Sequence, residues 1–481
     1  MVLRISWQGG FDRYDGGTLN RFLQIDPDYV AVVRGEVLEK AKESIVQMCS
    51  GYGMRKWSHV GLFRFCPAVG AVVLASTSFL ALAPVHAQKA PGLEKEQWLQ
   101  LERDRESEFE NYFGEDLASV SKTAAETADE LHRLSVATGT RSALLYVIPR
   151  RTHLHLVLIP PQGVPIVKDF YEVTDPVLFG VIRDFHRGIV RLDEEATKAG
   201  GQQLYDWIIR PYRKELEKSQ IDLLLFCLGD GVKDLALSAL SDQGRYLIEE
   251  YLLARIPAFN LIDTAYRPFR SGRLLAVGAS QFKDERIPAL PGAELELSTL
   301  VQSLPRETGY RWNVQRLDNQ SFTQKGVNAA IHSRPVSVIH VATHAQFMPG
   351  KAEASYVQLW DQRLRLSDLE EIDWSQSGAD LVVFSACQTA LGDKDAANGF
   401  AGIALKAGVP SAIGTLWPVD DKTTTSLMRS FYQTLPASRT KAEALQAAQI
   451  SVLRGSNSSS GQQSDQAPYY WAGFSLISSP W

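Results

Sequence analysis

The chain has 481 residues, of which 45% are hydrophobic and 22% are charged, a composition typical of folded domains rather than of disordered chains. Its length predicts two or three domains, and its formal net charge of −5 excludes a general basic surface for nucleic acid. The four cysteines (Cys49, Cys66, Cys227 and Cys387) match no zinc-binding spacing and are too few for a disulfide framework. We therefore expect no metal and no cofactor.

Residues 54–87 have the layout of a secretory signal peptide: a basic start, an apolar stretch over 68–83, and small residues before Ala87. The apolar stretch is shorter than the roughly 20 residues that a membrane span needs. We expect translation to start at Met54, with residues 1–53 as an upstream extension or start-site artefact, and cleavage after Ala87. The alternative is a genuine N-terminal extension followed by a short anchor.

This interpretation predicts export to the periplasm or the extracellular space, with only transient contact with the membrane through the signal peptide. If the signal is not used, we expect a cytoplasmic or membrane-anchored protein. An oxidising compartment would tend to block a reactive thiol. A thiol enzyme in that compartment would need a shielded site or redox-gated activity.

Residues 88–194 are predicted to form a helical and then β-strand N-terminal region. Helices are expected within 92–136, where Glu, Leu, Ala and Lys are frequent and Pro is absent. Alternating apolar residues predict strands at 142–149 and 154–160, joined by a short turn, and "QGVPIV" follows at 162–167.

Two features of the predicted strands are interpreted as structural. His153 and His155 lie on one face of their strand, but no third metal ligand is evident beside them. Cys227 lies inside the apolar run "IDLLLFCLGDG", where a thiol packs as a small hydrophobic side chain.

Beyond residue 194, predicted helices and strands alternate. Helices are expected at 193–220, 241–257, 292–304, 323–333, 398–408, 423–435 and 441–454, and strands at 221–231, 272–280, 311–317, 336–344, 379–387, 411–417 and 469–477, with a hairpin at 356–366. This alternation predicts an α/β fold in which a mostly parallel sheet has helices on both faces. Ligands and catalytic groups collect beyond the carboxyl ends of such strands.

Two of these strands end in reactive side chains, His344 and Cys387. A thiol with a pKa of about 8.5 is mostly protonated at neutral pH, so a nucleophilic cysteine needs a nearby base. Strand ends on one rim of a sheet would bring the imidazole and the thiol together. Considered separately, Cys387 would more simply be interpreted as a core residue and His344 as a capping residue.

The blocks "VIHVATHAQF" (338–347) and "LVVFSACQTALGD" (381–393) resemble the two signature blocks of the CHAT domain, a caspase-like family related to separases among the clan CD cysteine peptidases. Further blocks occur in family order over roughly 195–478, with the catalytic half at about 271–478. The region before them is similar to the segment that often precedes the domain in cyanobacterial members. No helical repeat with a period near 34 residues is visible in the sequence.

The resemblance implies that His344 is the general base and Cys387 the nucleophile. It also implies an oxyanion hole formed by the backbone amides of Ala345 and Cys387. His340 lies deeper on the strand of His344 and is interpreted as structural. The sequence departs from the family pattern at Ala345, where Gly is frequent, at "GDGVKDLAL" after Cys227, and at Asn398, where an acid is common.

The caspase-like resemblance further implies that the P1 pocket is lined by Ser385 and by the segment 416–421, which includes Trp417, Asp420 and Asp421. A carboxylate in this pocket would pair with a basic P1 side chain. Asp421 is expected to cap the helix that begins near Thr423, which leaves Asp420 as the better pocket residue.

Two classes of function remain open. The first is a caspase-like endopeptidase that acts on protein or peptide substrates, with a regulatory protein partner or processing of the 348–355 loop as its means of activation. The second is a non-catalytic interaction module with the same fold. A nucleotide-binding enzyme is disfavoured, because neither a GxxxxGK[ST] nor a GxGxxG motif follows any predicted strand.

Overall fold

The computed structural model describes residues 95–113, 122–304, 311–347, 355–365, 368, 371–385, 388–389, 408–418, 420–455 and 466–481. The predicted signal peptide, Cys387, Asn398, most of the predicted helix at 398–408 and most of the 348–355 loop lie outside these residues.

Helices and strands alternate through the described part of the chain. The helices are α1 (Lys95–Phe113), α2 (Ala124–Thr138), α3 (Asp175–Val190), α4 (Glu194–Ile208), α5 (Arg213–Lys218), α6 (Pro291–Ser303), α7 (Gln324–Ser333), α8 (Trp374–Ser377), α9 (Asp421–Thr434), α10 (Lys441–Leu453) and α11 (Pro468–Trp471). The strands are β1 (Ser142–Arg150), β2 (His153–Ile159), β3 (Ile166–Phe170), β4 (Leu223–Leu228), β5 (Ser241–Asp242), β6 (Arg245–Tyr246), β7 (Leu252–Ile256), β8 (Ser271–Gly278), β9 (Arg311–Asp318), β10 (Val338–Ala342), β11 (Ala345–Phe347), β12 (Tyr356–Gln358), β13 (Arg363–Arg365), β14 (Leu381–Phe384), β15 (Gln388–Thr389), β16 (Ser411–Thr415) and β17 (Phe474–Ser478).

Among the described strands, 11 form one sheet in the order β3-β2-β1-β4-β7-β17-β16-β14-β10-β8-β9. Neighbouring strands are parallel except for the pairs β2–β3, β1–β2 and β16–β17. Four short strands form a second sheet in the order β13-β12-β11-β15.

Helices cover both faces of the large sheet. Along β10, Val338 and Ala342 belong to the core cluster that includes Leu297 of α6, whereas Ile339 belongs to a second cluster with Val327 of α7. Successive strand residues point to opposite faces, so β10 is buried from both sides. The predicted fold class, a mostly parallel α/β sheet with helices on both faces, is therefore confirmed.

The prediction of a helix over 241–257 is wrong. The segment forms the two-residue strands β5 and β6, a short 3₁₀ turn and then β7. Gln243 and Gly244 have φ values of +50° and +85°, the backbone of a tight hairpin turn that a helix cannot contain. β7 lies between β4 and β17, and its short apolar run cannot be told from a buried helix by periodicity alone.

Two smaller differences concern regions beside this core. The prediction of a strand over all of 469–477 is wrong in its first half, where α11 precedes β17. Helix α3 lies in a segment for which no element was predicted, although Leu178, Ile182 and Phe185 give it a buried helical face.

Cys227 is fully buried on β4, and its thiol donates to the carbonyl of Pro257 at 3.1 Å. Burial raises the pKa of the Cys227 thiol well above its usual range, with the nearby Glu102 acting in the same direction. The interpretation of Cys227 as a core residue is confirmed. None of the helices in the described residues is both long and apolar enough to cross a membrane.

Lys441, at the start of α10, is an ionisable group inside this core, and it gives a prediction about stability. Its side chain is 2% exposed, and burial lowers its pKa to about 7 despite the nearby Asp380 and Asp263. The pKa of lysine in an unfolded chain is about 10.4, so between about pH 7 and pH 10.4 the unfolded chain holds a proton that the folded chain has lost. Stability should therefore rise with pH across this range.

We expect Lys441→Met to remove this slope and to stabilise the protein at pH 7, by at most about 5 kcal/mol. Denaturant unfolding of the full chain at pH 7 to 10 measures the difference between the variant and the wild type. Lys218→Met is the control, because the Lys218 side chain is 77% exposed. A slope that is identical in Lys441→Met and the wild type would contradict the prediction.

Candidate active site

His344 lies at the junction of the two sheets. It follows β10, which ends at Ala342, and precedes β11, which begins at Ala345. The hydroxyl of Thr343 donates to the carbonyl of Gln358 at 2.7 Å, and the Gln358 amide donates to the carbonyl of His344 at 2.8 Å. These two hydrogen bonds to β12 fix the backbone of Thr343 and His344, and with it the position from which the imidazole side chain extends.

The His344 ring is oriented by one hydrogen bond and one aromatic contact. Its Nε2 donates to the carbonyl oxygen of Pro288 at 2.8 Å, and the ring stacks on Phe282 with 5.3 Å between centroids and 30° between planes. A carbonyl oxygen only accepts hydrogen bonds, so Nε2 carries the proton, and Nδ1 of the neutral ring is left as an acceptor. The atom able to take up a proton is therefore Nδ1.

The amide of Ala345 points away from β12. This amide and the His344 carbonyl belong to one trans peptide unit, in which the N–H and C=O point in opposite directions. Because the His344 carbonyl accepts from Gln358 of β12, the Ala345 N–H is directed towards the other neighbour of β11, which is β15. The amide predicted for the oxyanion hole thus faces the strand that begins immediately after Cys387.

Cys387 itself lies outside the described residues, but the chain on both sides of it is described. Ser385 donates its amide to the carbonyl of Val341 at 3.2 Å, which continues the pairing of β14 with β10. Gln388, the next residue after Cys387, pairs with Gln346 in the parallel ladder of β11 and β15. The strand ends that precede Cys387 and His344 are therefore neighbours, as the sequence predicted.

Ser385, predicted to line the P1 pocket, is buried. Its hydroxyl donates to Oε2 of Glu296 at 2.9 Å, and its side chain is shielded from solvent. This hydrogen bond joins the end of β14 to Glu296 of α6, and it occupies the Ser385 hydroxyl.

Glu296 also faces His340, so one carboxylate joins two central strands. Nε2 of His340 lies 3.1 Å from Oε1 of Glu296, and Nδ1 of His340 lies 3.0 Å from the hydroxyl of Tyr432. All three side chains are buried, and burial, together with the nearby Glu296, raises the pKa of Tyr432 well above its usual range. His340, interpreted from the sequence as a deeper structural residue, is fully buried beneath the rim on which His344 lies.

Glu296 was not identified from the sequence, although a signal was present. It lies on the buried face of α6 with Ala293, Leu297 and Leu300, which recur at helical spacing. A carboxylate within such a stripe needs a partner, because burial of an unpaired charge is costly.

The capping of α9 differs from the prediction. Asp420, rather than Asp421, is the N-cap residue, and its carboxylate accepts from the amide of Thr423 at 2.9 Å and from the Thr423 hydroxyl at 3.0 Å. The prediction that Asp421 caps the helix is wrong by one residue. The physical reason is that Asp420 has the extended backbone of a cap, whereas Asp421 already begins the helix.

This shift leaves the Asp421 carboxylate beside the start of α6 and near His344. A Cβ atom added to Gly292 would lie 2.2 Å from Oδ2 of Asp421, so a larger residue at 292 would collide with this carboxylate. Burial raises the pKa of Asp421, the neighbouring Asp420 and Glu296 raise it further, and His344 acts in the opposite direction. An additional positive charge would therefore be favourable here.

Trp417, predicted to lie near the substrate, is fully buried. Its indole Nε1 donates to the carbonyl of Tyr469 at 2.9 Å. A cavity of about 900 Å³ opens elsewhere, lined by residues that include His132, Gln162 and Asp222. None of the predicted site residues lines this cavity, and we place the candidate site at the strand ends because the oriented imidazole lies there.

The fold and the site define a doubly wound α/β protein with ionisable side chains at the carboxyl ends of its central strands. A family model for the CHAT domain matches residues 198–479. The chain therefore belongs to the CHAT domain family, the caspase-like family that the two sequence blocks resemble.

Similarities beyond the family are distant. No curated protein sequence matches the chain. Among solved structures, the Arg-specific cysteine proteinase gingipain R is 13% identical, with a TM-score of 0.38 and coverage of 63% of this chain and 74% of its own. Separase in a Saccharomyces cerevisiae separase–securin complex is 8% identical, with a TM-score of 0.45 and coverage of 80% of this chain and 34% of its own.

The role of Glu296 can be tested by unfolding experiments. Glu296→Ala would remove the buried carboxylate that Ser385 and Nε2 of His340 share, and we expect it to destabilise the protein by about 2–5 kcal/mol. Glu296→Gln retains an acceptor of similar size and should cost less. Denaturant unfolding of the full chain measures both effects.

Glu294→Ala is the matched control on the same helix, because the Glu294 side chain is 48% exposed where it pairs with Arg316. A surface pair of this kind is worth about 0–1 kcal/mol. Equal losses in Glu294→Ala and Glu296→Ala would show that the buried carboxylate does not stabilise the two strands.

Proposed function

We propose that the chain is a cysteine endopeptidase that hydrolyses peptide bonds of protein substrates through His344 and Cys387. The observation that carries this proposal is the hydrogen bond from Nε2 of His344 to the Pro288 carbonyl, which leaves Nδ1 free to act as a base. Membership of the CHAT domain family is consistent with it.

The pairing of Gln346 with Gln388 supports a short path between the two groups. Consecutive Cα atoms are about 3.8 Å apart and paired strands about 4.8 Å apart, so this register limits the separation of residues 344 and 387. Contact between the imidazole and the thiol is compatible with this register.

In the proposed reaction, the Cys387 thiol gives its proton to Nδ1 of His344, and the thiolate attacks the carbonyl carbon of the scissile peptide bond. The oxyanion that forms accepts hydrogen bonds from the amides of Ala345 and Cys387. The imidazolium then protonates the leaving amine. The acyl-enzyme is hydrolysed by a water molecule whose proton is taken by His344, which restores the thiol.

The Pro288 carbonyl would assist in both halves of this reaction. It accepts from Nε2 in the neutral ring, and the same bond strengthens when the ring becomes positively charged. The stacked Phe282 limits rotation of the ring and so holds the orientation of Nδ1.

Substrate preference is proposed to depend on Asp421. Asp420 is engaged as a helix cap, whereas the Asp421 carboxylate lies near two other carboxylates and has a raised pKa. A basic P1 side chain would relieve this repulsion and would gain a charge-assisted hydrogen bond. We therefore propose Arg or Lys at P1 and assign its recognition to Asp421.

The dyad is tested by digesting a proteome-derived peptide mixture with the full chain in the presence of a reductant. We expect Cys387→Ala and His344→Ala to lower the rate by at least about 10⁴-fold, since each removes a group that acts directly in the reaction. Cys227→Ala is the matched thiol control and should remain active, because Cys227 is buried and bonded to the main chain.

Cleavage that persists in Cys387→Ala would overturn the proposed nucleophile. If no variant cleaves any peptide, the reaction of Cys387 with a thiol-directed electrophile is decisive. Alkylation no faster than that of an ordinary thiol would favour the non-catalytic interaction module over the peptidase.

The preference for a basic P1 residue is tested with Asp421→Asn. Loss of one charge-assisted hydrogen bond is worth about 1.5–3 kcal/mol, so kcat/KM for substrates with P1 Arg or Lys should fall about 10- to 100-fold. Substrates with a neutral P1 residue should be affected much less. The P1 preferences of Asp421→Asn and of its control, Asp420→Asn, are determined from the sites at which each cleaves peptides.

Asp420→Asn is the neighbouring control, because Asn also caps helices well. Its P1 preference should remain that of the wild type. An equal loss for basic and neutral P1 residues in Asp421→Asn would instead assign Asp421 to the positioning of His344.

A further inference from the structure

We propose that His153, His155 and Asp169 form a binding site for a divalent transition metal, with Zn²⁺ as the ion that fits best. These residues lie on β2 and β3, at one edge of the large sheet. The sequence alone left the two histidines without a third ligand. The structure places a carboxylate beside them.

The pairing of the strands brings the three side chains together. His153 and His155 are two residues apart on β2, so they point to the same face of the sheet. Asp169 of β3 is the direct partner of His155 in the antiparallel ladder. Paired strands hold ligands more rigidly than loops do, which favours a defined coordination geometry.

The distances between the candidate ligand atoms suit a small ion. Oδ1 of Asp169 lies 2.7 Å from Nδ1 of His155 and 3.5 Å from Nε2 of His153. One ligand atom from each residue lies within 4.8 Å of the others. Ligand atoms around a tetrahedral zinc ion are about 3.3 Å apart, given bonds of about 2.0–2.2 Å. Shifts of a few tenths of an ångström up to about 1.5 Å would therefore accommodate the ion.

The orientation of His153 is set by a residue outside the three ligands. Nδ1 of His153 lies 3.0 Å from the hydroxyl oxygen of Thr152. When Nδ1–H donates to that oxygen, the lone pair of Nε2 faces Asp169. Metal-binding histidines characteristically donate their second nitrogen to an oxygen acceptor in this way. The ring of Tyr171, with its centroid 4.9 Å from that of His153, packs beside the imidazole.

The donor set distinguishes among ions. Imidazole nitrogens suit Zn²⁺, Cu²⁺, Fe²⁺ and Ni²⁺, whereas Mg²⁺ and Ca²⁺ prefer sites made of oxygen alone. The side chains of His153, His155 and Asp169 are 21%, 19% and 32% exposed, so an ion can enter from solvent. Three protein ligands leave a fourth position for water.

A simple ion pair between His155 and Asp169 is the plain structural explanation of this cluster. It accounts for the 2.7 Å contact, but it leaves unexplained why a second imidazole, oriented by Thr152, faces the same carboxylate oxygen. A bound ion satisfies all three groups. It would also link β3, the edge strand, to β2.

Metal binding is tested on the full chain after dialysis against a chelator. The chain is then equilibrated with ZnCl₂, and bound zinc is measured by mass spectrometry of the metal content. We expect His153→Ala and Asp169→Ala each to bind one ion fewer than the wild type. His332→Ala is the control, because it removes a histidine that faces a single carboxylate, that of Asp373 at 3.1 Å.

Thr152→Val gives a second readout that a simple ion pair would not produce. It removes the hydroxyl beside Nδ1 of His153 and keeps the shape, and we expect about 10-fold weaker zinc binding, as is typical when an orienting partner is lost. Zinc should also raise the unfolding temperature of the wild type and of His332→Ala, but not of His153→Ala. Equal zinc content in the wild type, His153→Ala and Asp169→Ala would overturn the proposal.

Discussion

The buried carboxylate of Glu296 is the interaction on which the candidate site depends. It is bonded to Ser385 at the end of β14 and faces His340 on β10, so one side chain holds the two strands that lead to Cys387 and His344. Breaking this contact would leave polar groups unpaired in a core that excludes water. The relative position of the two strand ends is thus determined from inside the protein, before any substrate is present.

Helix α6 carries this carboxylate, and the chain around its first turn contacts the rest of the site. Pro288, three residues before the helix, accepts from His344, and Gly292 in the first turn lies against Asp421. A larger residue at 292 would force the Asp421 side chain to move, because a Cβ atom there would collide with that carboxylate. The base, the residue proposed to recognise P1 and the ends of both strands are therefore all contacted by α6 and the chain just before it, which contribute no side chain to the proposed chemistry.

The sequence predicted the parts of this arrangement that follow local rules. Alternating periodicities indicated the α/β class, and reactive residues at strand ends indicated the rim of the sheet, which is where His344 lies. The helix cap was predicted one residue too late, because Asp420 and Asp421 are equally suitable by residue type and only the backbone conformation decides between them. The partners of Pro288, Glu296 and Asp169 could not be assigned from the sequence, since strand order and helix packing bring them together. The segment 241–257 was misread because its turn requires positive φ at a residue other than glycine, which composition does not reveal.

The topology also determines how the proposed metal site can relate to the candidate active site. β17 pairs with β7 on one side and β16 on the other, so the N-terminal and C-terminal strands form one continuous sheet. Seven strand-to-strand steps separate β2 from β10, or about 34 Å at about 4.8 Å for each step. Over that distance an ion at His153 cannot touch the scissile bond, and coupling through the protein would need an element with two alternative arrangements. Each strand between the two sites is paired with a neighbour on both sides. An ion bound at this edge would act directly on the pairing of β2 with β3, because its ligands come from these two strands.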